Sequence, residues 1–251
     1  MATDDKRLVT RISFLKAPID ILDEGNIEPL IRSMAARKEK QQIILLSFRD
    51  LMRARRNTER MRMLKEAALV LPVSKALIRG IKFLKKGDAK RYMPFEFIIR
   101  ILGVLENIGG SIYILGAQTK EHNIIAGNLR DSFVGLKIVG RHAGFYSKDR
   151  ENDLLLAIKK AAPNLLLAGN GLKGKELWLY KKKENFQNGL YFWSGECFDI
   201  FCGKKQRLSH EQWEKGYYLI PRFFQNPLRF FLIFDRIYYN FLLLIYRLRG
   251  L

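Results

Sequence analysis

Six short and almost uninterrupted apolar runs constrain this chain more than any other feature. They are "QQIILLS" (41–47), "AALVLP" (67–72), "GSIYILG" (110–116), "LKIVG" (136–140), "NLLLAG" (164–169) and "GLYFWSG" (189–195). A strand that alternates apolar and polar residues covers a core on one side, whereas a run that is apolar throughout needs cover on both faces. Amphipathic segments at 49–66, 95–107, 118–133, 148–161 and 173–186 fall between the runs and can supply that cover. The order predicts an α/β fold, a Rossmann-like parallel sheet flanked by helices. Most runs stop at Pro72, Gly116, Gly140, Gly169 or Gly195. Ligands of open α/β sheets sit just beyond the carboxyl ends of strands, so the chemistry is expected there.

With 251 residues, 48% of them hydrophobic, the chain can bury a core of one large or two small domains. Its formal net charge of +20 attracts polyanions, whether nucleic acid, acidic headgroups or phosphorylated substrates. The start, "MATDDKRLVTR", has no apolar signal region, and the two cysteines, Cys197 and Cys202, have no second pair or histidine set for a metal. A cytoplasmic protein with free thiols and neither metal nor cofactor is expected.

From residue 209 the composition shifts to aromatics and arginine, which divides the chain into a core at 1–208 and an appendage at 209–251. The longest uncharged stretch there, 237–246, is far shorter than the roughly 20 residues of a membrane span. A helical appendage lying in an anionic membrane surface explains both the aromatic and the arginine content. Packing on the sheet domain or on another subunit explains the aromatics alone, and a homo-oligomer stays open.

"AGNGLKGKELW" follows an apolar run and carries Gly169, Gly171 and Gly174 in a G-x-G-x-x-G spacing. Such a turn can bring backbone amides to the diphosphate of a dinucleotide or of a nucleotide-sugar, or can be a plain tight turn. Its place late in the strand order argues against a dinucleotide. The arginine-rich segment 49–68 has Leu51, Ala54, Met61 and Leu64 for a buried stripe, and reads as a solvated helix face. Nucleic acid is not the expected partner, because the aromatics that would interleave with cations lie near the C-terminus. His142 follows a strand and can reach a ligand, but no histidine has the spacing of a nucleophilic triad.

Taken in order, "LVLP" (69–72), "YILG" (113–116), "LKIVGRHAGFY" (136–146), "PNLLLAGNG" (163–171), "GECFDIFCGKKQR" (195–207) and "RFFQNPLRF" (222–230) resemble the WecG/TagA/CpsF family of bacterial glycosyltransferases. The resemblance covers roughly residues 10 to 232 and implies a metal-independent inverting enzyme. Such an enzyme moves an N-acetylhexosamine, typically N-acetylmannosamine, from a UDP-sugar donor to a polyprenyl-diphosphate-linked acceptor. It works at the inner face of the plasma membrane, in making cell-surface polysaccharide or teichoic-acid-type polymers. By the same resemblance Asp199 binds the nucleotide, Arg91, Arg207, Arg222 and Arg229 meet phosphate charge, and Gly169 and Gly171 lie near the sugar-diphosphate. Guanidinium groups can neutralise a departing diphosphate without a divalent metal.

The match also shows substitutions. Val73 and Ser74 stand where the family has an Asp, the presumed general base, and a Gly. Ser47 replaces an Asn and Lys175 a Gln, whereas Glu176 is kept; Glu96 takes the place of an Asp. Valine cannot accept a proton, which leaves Glu96, Ser74 or Glu196 as substitute bases. A catalytically inactive relative that still binds nucleotide-sugar or lipid-diphosphate as a scaffold is the competing reading.

Overall fold

The computed structural model describes residues 8–216 and 232–250. The first strands of the described residues form a hairpin, β1 (Val9–Phe14) and β2 (Ala17–Leu22), which leads into α1 (Ile27–Ala36). Next come β3 (Lys40–Leu46), α2 (Phe48–Arg55), α3 (Thr58–Glu66), β4 (Leu69–Pro72), α4 (Lys75–Phe83) and α5 (Pro94–Asn107). They are followed by β5 (Ser111–Leu115), α6 (His122–Ser132), β6 (Lys137–His142), α7 (Glu151–Ala161) and β7 (Leu165–Ala168). Among the described residues the order ends with α8 (Glu176–Lys182), β8 (Gly189–Trp193) and the helices α9 (Cys197–Phe201), α10 (His210–Lys215) and α11 (Leu232–Leu248). All six apolar runs become strands of one sheet, ordered β4-β3-β8-β7-β5-β6, in which every paired neighbour is parallel.

The period-2 alternation of strand side chains then sorts the core. Ile43, Leu69, Leu71, Ile112, Ile114, Leu165, Leu167, Leu190 and Phe192 share one cluster with α1, α5, α6 and α9. Their alternates face the other way in two clusters. Ile44, Leu46 and Val70 meet α2, α3, α4, α11 and the hairpin, while Tyr113, Leu115, Leu166, Ala168 and Tyr191 meet α7 and α8. Helices thus cover both faces, as continuous apolar strands require. β6 departs from the sequence reading: it is an edge strand whose residues are partly or fully exposed, and Val139 faces solvent.

The segment 49–66 is two helices, not one. Arg56 ends α2, and Asn57 turns extended and accepts a hydrogen bond from the Arg60 amide, capping α3. The hairpin was invisible in the sequence because its two-residue turn is Leu15-Lys16, without the Asn-Gly or Asp-Gly signal of such turns. Both residues take positive φ, 48° and 72°, and burial of the Leu15 side chain helps to offset that strain.

The hairpin also closes the free edge of β4. Arg11 and Asp20 face each other across it, joined by two hydrogen bonds of 2.7 Å, and Asp20 is 0% exposed. The Asp20 carboxylate also accepts from the Val70 amide at 2.7 Å, while Arg11 donates to the carbonyls of Ala67 and Ala68.

On the same side α11 docks by Tyr239, Leu242 and Leu243. The Tyr239 hydroxyl donates to the Ala76 carbonyl at 2.8 Å, and its ring meets Phe48 edge-on at 5.0 Å. Gly80 makes this approach possible, since a Cβ there would lie 2.1 Å from the Tyr239 oxygen. Among the described residues no helix is long and apolar enough to cross a membrane.

Removing one partner of a buried ion pair typically destabilises by about 3–5 kcal/mol. The Arg11 side chain is 30% exposed, so water partly replaces it, and Arg11→Ala, which strands the buried Asp20 charge, is expected to lower the unfolding free energy in urea by less, about 2–3 kcal/mol, with Arg11→Met/Asp20→Leu recovering most of it. A loss under about 1 kcal/mol for Arg11→Ala would contradict this account of the hairpin.

Candidate active site

At the carboxyl end of the sheet the helices part. The chain leaves β8 for α9 on one face, whereas from its two neighbours, β3 and β7, it leaves for α2 and α8 on the other. That divergence opens a crevice above β8. Asp199, in the first turn of α9, stands on its wall. The Asn170 side-chain amide donates to both carboxylate oxygens, at 3.3 and 3.2 Å, and the Lys205 ammonium lies 3.4 Å from one of them. Lys205 also reaches Glu196 at 3.4 Å. Asp199, flanked in sequence by Phe198, Ile200 and Phe201, is therefore held from two sides by polar groups, with part of its surface open.

The neighbouring thiols serve packing. Burial pushes the Cys197 thiol up to about 12, and it donates to the Ser194 carbonyl; both cysteines are free.

The glycine turn after β7 forms the crevice floor. A Cβ on Gly169 would fall 2.3 Å from the Phe198 ring, so its lack of a side chain lets α9 close onto the strand end. Gly171 has φ +93° and lies against the Phe145 ring. The Asn170 carbonyl accepts from the Ala117 amide at 2.8 Å, and the Gly144 amide donates to the Ala117 carbonyl, which laces the turns after β5, β6 and β7 together. Trp193 donates from its indole to the Gly169 carbonyl at 3.1 Å, and the Lys175 ammonium sits 4.9 Å from the Trp193 ring centroid. Lys175 has φ 57° and ψ −127°, a conformation that non-glycine residues seldom adopt and that concentrates at functional turns.

Beyond β3 and β4, Ser47 and Ser74 jointly close the amino end of α2. Ser47 accepts from the Asp50 amide at 3.2 Å, and its hydroxyl donates to the Asp50 carboxylate. Ser74 accepts from the Phe48 amide at 3.0 Å. The Val73 amide donates to the Leu46 carbonyl, so the position without a carboxylate adjoins this cluster. Glu176 lines a small void with Asp50 and Arg60. Burial, and then the negative charge of Asp50, push its carboxyl up to about 7.

The remaining residues singled out from the sequence lie around these groups. Arg207 pairs with Glu96 at 3.1 Å and sits over the Phe95 ring at 5.9 Å. The Arg91 side chain is 7% exposed; its guanidinium lies over Trp213 at 4.2 Å, donates to the Trp213 carbonyl and reaches Glu214. It thereby holds α10 against the loop before α5. Arg222 and Arg229 lie outside the described residues. Among the described residues no group of three His, Cys, Asp or Glu side chains is placed to hold a metal.

Asn170, Lys205 and Asp50 were not singled out from sequence. Asn170 and Asp199 are 29 residues apart and meet only because β7 and β8 are neighbours. Asp50 had a local signal, since Ser47-x-x-Asp50 has the spacing of a helix capping box.

The sequence profile described as the glycosyl transferase WecG/TagA/CpsF family matches residues 12–250. The chain belongs to that family, a family of glycosyltransferases of cell-surface polysaccharide synthesis. Comparison with curated proteins gives no significant match.

Glu176 yields a pH test. An acid whose folded pKa is raised ionises first in the unfolded chain, so it lowers stability as pH rises from about 4.5 to about 7. Urea unfolding of the wild type and of Glu176→Gln should diverge across that window, the wild type losing ground as pH rises. Parallel curves between pH 4.5 and 7 would show that Glu176 does not sit in this environment.

Proposed function

We propose that the chain transfers an N-acetylhexosamine from a UDP-sugar to a polyprenyl-diphosphate-linked acceptor at an anionic membrane surface, by a metal-independent inverting reaction. The observation that carries this reading is the crevice above β8, where Asn170 and Lys205 hold Asp199 beside the glycine turn. A carboxylate held this way can accept hydrogen bonds from ribose or uracil groups. Lys175, Lys205 and Arg207 supply positive charge for a diphosphate, with Arg222 and Arg229 proposed to add to it. In the reaction an acceptor hydroxyl oxygen bonds to the anomeric carbon from the face opposite the diphosphate. The bond from that carbon to the diphosphate oxygen breaks, and UDP leaves with the electron pair.

A base must take the hydroxyl proton, and Val73 cannot. Of the three substitutes that the sequence offers, Ser74 is occupied as a cap, Glu96 is paired with Arg207 and Glu196 with Lys205. We assign the role to Asp50, which stands next to the end of β4 with its carboxylate accepting from Ser47 and only a looser pair, 3.8 Å, to Arg53. In a transfer assay with UDP-sugars and membrane lipid extract, Asp199→Asn is expected to lower turnover about 10- to 100-fold. Asp50→Asn is expected to lower kcat by about 10²–10⁴ with the circular dichroism spectrum unchanged. The substitution at Val73 favours a second reading, an inactive relative that binds the same ligands. No turnover with any donor, together with activity gained by Val73→Asp, would replace the first reading by the second.

Helix α11 supports the membrane part. The face opposite its docked residues presents Phe234, Ile237, Phe241, Leu244 and Leu248, spaced three or four residues apart and 54% to 87% exposed. Arg55 and Arg56 lie beside this helix, with Arg56 bonded to Asp235, and Arg247, in its last turn, donates to the Phe83 carbonyl. Apolar side chains flanked by guanidinium groups match an anionic interface. Phe241→Glu, by removing one large side chain from that interface, should weaken flotation with phosphatidylglycerol vesicles about tenfold or more. Equal flotation of wild type and variant would remove the membrane role of α11.

A further inference from the structure

Helix α2 carries a stripe of arginines that the crevice above β8 does not use. Ser47 caps the helix where β3 ends, so its first turn, with Arg49 and Asp50, stands at the carboxyl end of the sheet. Leu51, Met52 and Ala54 are its buried residues. At 3.6 residues per turn, Arg49, Arg53 and Arg56 fall within about 60° of one another, on the side away from Leu51. Phe48 lies on one flank of this stripe and Asp50 on the other.

The stripe therefore separates the two places that a lipid-linked acceptor must reach at once. On the Phe48 flank is α11, whose Tyr239 meets the Phe48 ring edge-on and whose Arg236 guanidinium lies over that ring at 5.6 Å. The exposed face of α11 carries Ile237 and Phe241. On the other flank is Asp50, the assigned base. The cations differ in how far they are committed. Arg56 is held by Asp235 at 2.6 Å, whereas Arg53 meets Asp50 only at 3.8 Å and its side chain is 52% exposed. Neither Arg49 nor Arg236 forms an ion pair among the described residues. Like charges four residues apart on a helix repel, and an anion lying between them relieves the repulsion. Guanidinium groups bind phosphate oxygens through paired, parallel hydrogen bonds. Arg49 and Arg53 are about 6 Å apart along the helix axis, so two phosphoryl groups joined by one oxygen can take one guanidinium each.

We propose that Arg49, Arg53 and Arg236 seat the diphosphate of the lipid-linked acceptor. The proposal rests on the transfer reading above and deepens it. The polyprenyl tail leaves over the exposed apolar face of α11, and the sugar at the other end of the diphosphate brings its hydroxyl toward Asp50. Phosphate oxygens take Arg53 from its loose pair with Asp50, which leaves that carboxylate free for the proton. The two diphosphates of the reaction then rest on different cations, that of the donor on Lys175, Lys205 and Arg207 and that of the acceptor on α2 and α11.

The test is flotation of the full chain with phosphatidylcholine vesicles that carry either polyprenyl diphosphate or phosphatidylglycerol at equal total charge. The ratio of the two affinities is the readout, because loss of any surface cation weakens binding to every anionic vesicle. The wild type is expected to bind the diphosphate vesicles about tenfold or more tightly than the phosphatidylglycerol vesicles. Arg49→Gln/Arg53→Gln changes two side chains on the solvent side of α2 and is expected to bring the ratio close to one, with UDP affinity by calorimetry unchanged. Arg236→Gln, on a different helix, is expected to lower the ratio as well. A wild type without the preference would overturn the seat, as would a ratio unchanged in the folded double variant or in Arg236→Gln. Turnover by the wild type in the transfer assay would then keep the transfer reading. No turnover with the preference intact would remove that reading and leave the binding site standing.

Discussion

The placement of β8 between β7 and β3 governs what this molecule can do. A parallel strand between two others is buried on both faces, and its carboxyl end stays open only where the following helices leave in opposite directions. Here the chain leaves β8 for α9 on one side, while α2 and α8 descend on the other. Asn170, Asp199, Lys175 and Lys205, scattered in sequence, share one crevice because of that divergence. The same pairing requires Gly169, since a larger residue would push the Phe198 ring, and α9 with it, away from β7.

The sheet was legible in the sequence because its strands are apolar on both faces. "NLLLAG" and "GLYFWSG" sit deep in the core as β7 and β8, and neither run is long enough to be mistaken for a core helix. The hairpin was not legible. Its turn lacks glycine, and its decisive charge pair, Arg11 and Asp20, reads as two ordinary exposed residues until β4 is placed beside it. "LKIVG" read as another two-sided strand, yet β6 ends the sheet, a position that residue identities within one run do not encode.

The candidate site was legible in its chemistry and hidden in its partners. Asp199, Lys175 and the glycine turn stood out by residue type and by family resemblance. What holds them could not be read from spacing, since a side-chain amide just past one strand meets an acid on the helix that follows its neighbour only because the two strands pair. Arg91 illustrates the converse. Its residue type suits a phosphate, while its guanidinium is committed to Trp213 and Glu214 of α10, a contact 122 residues away in sequence.

The central claim is that the crevice above β8 receives a nucleotide-activated sugar. A crystal structure of the chain with a bound UDP-sugar tests it most directly. The expected result is the diphosphate over the glycine turn at 169–174, with Asp199 in hydrogen-bond contact with the nucleotide. Clear density for the ligand elsewhere, with Asp199 still bonded only to Asn170 and Lys205, would contradict it.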